Sequence, residues 1–252
     1  MRIDIWSDIA CPWCYIGKRR LETALAGFEH RDEVEVVWRS YELAPGAPVP
    51  PTRTSAAHLA EKYGGTPDQI AAMTRRVAET AQGEGLRYRL DDTMHVATRD
   101  AHRLLHLALE TGGPRLQGDL KERLLEDYFV RALDVSDHVV LRAAASEVGL
   151  SPEEVDRVLG SDAYDEEVTA DIRQASALGA GGVPFFVLDG RYGISGAQPG
   201  EVFADALRRA WADAHPPLTT LGGGAAGTAS GTAGSDDGAA VCGPDGCEVP
   251  AR

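Results

Sequence analysis

From Arg2 to Ser7 apolar and polar residues alternate, with Ile3 and Ile5 on one side of the pattern, and this period of two predicts a short strand. A change of period follows at once. Leu21, Ala24, Leu25 and Phe28 recur at three-and-four spacing, so the stretch that opens at Pro12 predicts a helix, with Pro12 suited to a first turn where its missing N–H has no partner to lose. Val34 to Trp38 predicts a second strand, and strand, helix, strand within this span is a βαβ unit, a parallel pair with a right-handed crossover.

From about residue 52 to 179 the strand pattern gives way to helices. Thr66-Pro67-Asp68-Gln69 and Ser151-Pro152-Glu153-Glu154 each place a capping residue, a first-turn proline and a Gln or Glu three after the cap. Arg99 to Leu109 and Leu116 to Ala132 predict two more helices, separated by a turn at Gly112-Gly113-Pro114. Strand character returns at Val183 to Leu188 and at Arg191 to Ser195, joined by the hairpin signal Asp189-Gly190. Pro199 to Ala214 predicts a last helix with Val202, Phe203, Ala206, Leu207 and Ala210 on one stripe. The fold class is therefore α/β, a βαβ…ββα arrangement interrupted by an all-helical insertion. The expected domains are 1–51 with 180–215, the insertion 52–179, and a tail, 216–252. Gly222 to Gly238 consists of 7 Gly, 4 Ala, 4 Ser or Thr and 2 Asp, a composition that buries no core and predicts a flexible linker.

The 252 residues carry 25 Lys and Arg against 39 Asp and Glu, a formal charge of −14. That balance argues against nucleic acid as a partner, since phosphates call for a surplus of cations. No run approaches the ~20 apolar residues that span a bilayer, and the N-terminus lacks a secretory pattern, so a cytoplasmic protein with no membrane partner is expected.

Candidate chemistry lies in four cysteines. Cys11 and Cys14 form a C-x-x-C between the first strand and the first helix, and Cys242 and Cys247 form a C-x-x-x-x-C in the tail. Thiol–disulfide exchange needs a thiolate, and a helix N-terminus offers unpaired N–H groups that lower a thiol pKa, so Cys11 is expected to be ionised and reachable. Cys14, one turn on, is placed to attack a mixed disulfide and release its partner. The competing reading of C-x-x-C is half of a four-ligand zinc site, completed by Cys242 and Cys247, in a non-catalytic interaction module. Val183-Pro184 opens a strand with a residue that cannot donate to a ladder, either as a trans proline at a strand entrance or as a cis peptide. His102 and His106 share the i, i+4 spacing of a metal pair but lack the Glu of H-E-x-x-H, so partly buried or surface histidines are expected and no metal is assigned. Asp165-Glu166-Glu167 suits the positive end of a helix, and Phe185 and Phe186 suit a core.

Ser7 to Lys18 with Cys11-Pro12-Trp13-Cys14, Asp100 to Leu104, Gly182 to Phe186 and Ser195 to Gln198 together resemble the DsbA-like thioredoxin-fold oxidoreductases of the FrnE subgroup, which includes proteins named polyketide-biosynthesis dithiol–disulfide isomerases. The resemblance spans about residues 1 to 214. It implies a thioredoxin fold, Cys11 as nucleophile and Cys14 as resolving thiol. It also implies an active-site loop of Pro12 and Trp13 faced by a cis peptide at Val183-Pro184, a groove in which His102 takes part, and no cofactor. Partners implied are protein or small-molecule thiols and disulfides, with glutathione or a thioredoxin-type reductant as candidates. The same superfamily holds glutathione-dependent isomerases and transferases, which typically have serine where this chain has Cys11. Cys242 and Cys247 are expected to act as an auxiliary redox pair, with a passive tail disulfide or idle thiols as the alternative.

Overall fold

Residues 1–217, with the short stretches 242–243 and 246–247, are described by the computed structural model. The alternation of the first strand survives intact in β1 (Arg2–Ser7). Ile3 and Ile5 are fully buried and stand in register with Leu188 and Phe186, while Trp6 is buried toward the other face and donates its indole N–H to the Asp171 carbonyl at 2.8 Å. Helix α1 (Pro12–Ala26) follows with Pro12 in its first turn and leads to β2 (Glu35–Ser40), which pairs parallel with β1. β2 begins one residue later and ends two later than its apolar pattern, because Arg39 and Ser40 find polar partners in Asp4 and Asp171.

β3 (Phe185–Leu188) and β4 (Tyr192–Ser195) complete a mixed sheet of order β2-β1-β3-β4, antiparallel from β1 onward. Asp189 and Gly190 both take positive φ, 51° and 66°, the geometry a two-residue hairpin needs to match strand twist. The last helix, α8 (Gly200–Ala214), buries Phe203, Leu207 and Ala210 against α1 and the sheet, whereas Val202 points outward.

Six helices stand between the two halves of the sheet: α2 (Ser55–Tyr63), α3 (Pro67–Gly83), α4 (Arg99–Phe129), α5 (His138–Glu147), α6 (Pro152–Leu159) and α7 (Asp165–Ala177). Thr66 and Gln69 form a reciprocal capping box, and Ser151 caps α6 through its side chain. The two helices expected on either side of Gly112-Gly113-Pro114 meet end to end as α4, broken only by a kink at Gly113 with φ 70°. The second half stops at Phe129 rather than Ala132, whose φ of 55° a helix cannot contain. This is the thioredoxin arrangement with a helical insertion, and its core crosses the join: Ile9, Tyr15 and Ile16 pack with Leu104, Leu124 and Phe129 of α4. Residues 1–216 form one compact unit.

The outer edge of β2 is capped at Trp38 by a side chain. Gln117 of α4 accepts from the Trp38 N–H and donates to the Trp38 carbonyl, both at 2.9 Å, supplying with one amide what a further strand would offer. Among the described residues no helix is long and apolar enough to cross a membrane. The Gly-rich segment 222–238 lies outside the described residues. Beyond it, Cys242–Gly243 and Gly246–Cys247 form a short antiparallel ladder with Cys242 directly opposite Cys247.

Candidate active site

Cys11 is the residue on which β1 hands over to α1. Its extended backbone, φ −97° and ψ 109°, makes it the N-cap, and its carbonyl accepts the Cys14 N–H at 3.0 Å. One helical turn brings Cys14 beneath it, and both are free thiols. The loop before β3 approaches from the other side: Val183-Pro184 is cis, and the Cys11 thiol donates to the Val183 carbonyl at 3.5 Å. Gly17 lets α1 sit this close, since a Cβ there would lie 3.1 Å from Phe186 and 3.2 Å from Pro184. Tyr88 braces the same turn by donating to the Pro12 carbonyl at 2.8 Å, while the Trp13 side chain is 39 % exposed.

The electrostatics run against the expectation of an ionised, open thiol. Cys11 is only 3 % exposed and Cys14 only 1 %. The hydrogen bond with Cys14, burial, and the closeness of the Cys14 thiol and the Asp8 carboxylate push the Cys11 thiol well up; the Cys14 N–H, the one helix-terminal amide pulling the other way, is outweighed.

Three buried groups that sequence patterning did not single out as a set lie under the pair. Asp8 is pushed up by burial, but His102, the Leu43 N–H at 2.7 Å and Thr98 hold its carboxyl below the usual range. His102 stands 3.4 Å from Asp8; burial first, and the Lys121 charge, hold its imidazole down, and its Nδ1 has no hydrogen-bond partner among the described residues. Lys121, fully buried, reaches the Ser7 carbonyl at 3.4 Å and lies over the Trp38 ring. Burial lowers its ammonium to about 8, against the pull of Cys14, Asp8 and Cys11. The available signal was a lysine on the apolar stripe of α4, between Leu120 and Leu124. His106 turns elsewhere, to Ser40 and Asp171, each at 3.1 Å, so the i, i+4 histidines share no ligand. Among the described residues no group of three or more His, Cys, Asp or Glu is placed to hold a metal ion.

A cavity of about 700 Å³ opens beside Cys11, Pro12, Trp13 and Val183 and runs between the loop after β2, helices α2 and α3, and the Tyr128–Phe129 end of α4. The Cys11 sulfur is therefore approached through this chamber. His102 does not line it; its partner Asp8 does.

A C-x-x-C at a strand-to-helix junction, faced by a cis-proline loop, defines a thioredoxin-fold dithiol protein. The DSBA-like thioredoxin domain family matches residues 2–208, and the chain belongs to that family of thiol–disulfide oxidoreductases. A probable DsbA oxidoreductase from Streptomyces coelicolor is similar over 100 % of both chains, at 46 % identity and a TM-score of 0.80. More distant likeness, of fold alone, extends to a 2-hydroxychromene-2-carboxylate isomerase (13 % identity, 87 % of this chain and 100 % of that one, TM-score 0.61). It also extends to the cytosolic disulfide reductase DsbM of Pseudomonas aeruginosa with GSH (16 % identity, 83 % and 98 %, TM-score 0.59).

Proposed function

We propose that this protein is a cytoplasmic FrnE-type dithiol–disulfide oxidoreductase, with Cys11 as nucleophile and Cys14 as resolving thiol. The observation that carries the reading is the shared hydrogen-bonded position of Cys11, between the Cys14 thiol and the Val183 carbonyl of the cis-proline loop. In the exchange a Cys11 thiolate attacks one sulfur of a disulfide; that S–S bond breaks and a thiolate leaves. Cys14 then attacks the Cys11 sulfur, releasing the second thiol and leaving a Cys11–Cys14 disulfide. Proton removal from the buried pair is the step the local charges oppose, and Lys121, close enough to feel both sulfurs, is the cation that favours it. We assign residues 1–51 and 180–215 to the exchange domain and 52–179 to an insertion that walls its cavity.

Protein or small-molecule disulfides are the substrates on this reading, and glutathione or a thioredoxin-type protein is the reductant that restores the dithiol. The cytosolic setting and the glutathione partner follow the similarly folded cytosolic reductase with GSH. Cys242 and Cys247 act as an auxiliary pair; their direct cross-strand register supports this, because antiparallel partners at about 4.5 to 5.5 Å between Cα atoms fall within disulfide reach. The test is insulin reduction with Cys11→Ser and Cys14→Ser. The first is expected to abolish turnover, the second to accumulate a mixed disulfide on Cys11 visible as a mass increase. Turnover surviving Cys11→Ser refutes the assignment.

A further inference from the structure

Resting on the reading that Cys11 exchanges disulfides, we propose that the cavity beside it is a substrate site for a small organic disulfide with an apolar body and an anionic end. Its size falls in the range of small-molecule sites. Leu59, Val77, Leu90, Val96 and Phe129 form its walls. Trp13, Leu43, Tyr63 and Met73 also line it although they are 39, 39, 64 and 37 % exposed, an apolar surface left facing solvent around the cavity that reaches Cys11. Glutathione, with its amides, two carboxylates and ammonium, would set more polar groups against these walls than a single charged end group does.

Charge selects the end group. The chain carries −14 overall, yet this cavity is lined by Lys62, Arg76, His58 and His95 against a single carboxylate, Asp8. Asp8 is buried and already engaged by the Leu43 N–H and His102. Among the described residues Lys62 and Arg76 make no salt bridge, whereas neighbouring Arg53 is paired with Glu61 and reaches His58 Nδ1 at 3.0 Å. Burial first, then the nearby cations, hold His58 down; burial, His58 and Arg53 do the same for His95. The side of the cavity formed by α2 and α3 therefore presents Lys62 and Arg76, two cations with no salt bridge among the described residues, which suits a carboxylate-like end group while the sulfur end faces Cys11. The reaction balances without a further reagent: one disulfide and the two protein thiols give two small thiols and the Cys11–Cys14 disulfide.

The test uses the reduced full-length protein and the disulfides of mercaptohexanoate, mercaptohexanamide, mercaptohexylamine and glutathione. Single-turnover rate constants for oxidation of the protein are each divided by that of the same disulfide with dithiothreitol, which removes intrinsic reactivity. The hexanoate disulfide is expected to be fastest, about tenfold over the amine, the product of two exposed charge contacts worth about threefold each. Lys62→Gln with Arg76→Gln, both at exposed helical positions, should bring that ratio down to about one. Equal normalised rates for acid, amide and amine, or glutathione disulfide as the fastest, overturn the cavity assignment and leave exchange at Cys11 standing. No reaction with any of the four overturns the exchange reading beneath it.

Discussion

Lys121→Met is expected to make the protein more stable and slower. A buried ammonium whose pKa falls from 10.5 to about 8 is charged in both folded and unfolded chains at pH 7, so the folded state carries the whole burial penalty there. Between about pH 8 and 10.5 the folded chain gives up this proton while the unfolded chain keeps it, and stability rises with pH through that window. A gap of about 2.5 pKa units corresponds to about 3 kcal/mol. Methionine fills similar volume without a proton, and exchanging a buried ion for a fitted apolar side chain is often stabilising. Urea unfolding of both reduced proteins at pH 7 and pH 10 measures the effect; the thiols titrate in each, so the difference between the two proteins isolates residue 121. The advantage of Lys121→Met should shrink by about 2 to 3 kcal/mol from pH 7 to pH 10. Release from a mixed disulfide should slow over the same samples, because the cation near Cys14 is gone. A stability difference that does not change with pH would show that Lys121 does not sit charged in the core, and the electrostatic account of the pair would fall.

Asp8→Asn removes a negative charge that holds the Cys11 proton on, so the midpoint of iodoacetamide alkylation against pH should move down; an upward or absent shift contradicts the account. Gln117→Leu leaves the Trp38 N–H and carbonyl unpaired at a buried edge and should cost about 2 to 4 kcal/mol in urea unfolding. Gly17→Val forces branched atoms into Phe186 and Pro184, and should lower insulin reduction more than tenfold while far-UV circular dichroism keeps its helical shape.

Local patterns were readable wherever one segment decides its own structure. Alternation fixed β1, Asp189-Gly190 fixed the hairpin, and Thr66 and Ser151 marked helix starts through bonds made within four residues. The kink at Gly113 was half visible: glycine and proline announced a break, but only packing decides that the two helices abut instead of looping apart. The position of Cys11 was legible and its electrostatics were not. A helix N-terminus is visible in the sequence, and Cys14 and Asp8 lie only three residues to either side, but the Cys14 thiol's hydrogen bond and the burial that push Cys11 up depend on tertiary packing that no local pattern announces. Gln117 and Lys121 likewise appear in the sequence as polar interruptions of a helix stripe, and nothing nearby says that one completes a sheet edge and the other underlies a thiol pair.

The amide of Gln117 has a consequence for how other chains meet this one. With the Trp38 N–H and carbonyl already paired and the Ser40 N–H held by Asp171, an extended polypeptide finds no free backbone partner at either residue, which works against self-association and client capture through β2. The opposite margin, β4, keeps Gly193 and Ser195 in solvent and ends at Gly196, whose N–H is held by the Pro184 carbonyl. The border left for a strand-like visitor is thereby the one that adjoins the cis-proline loop.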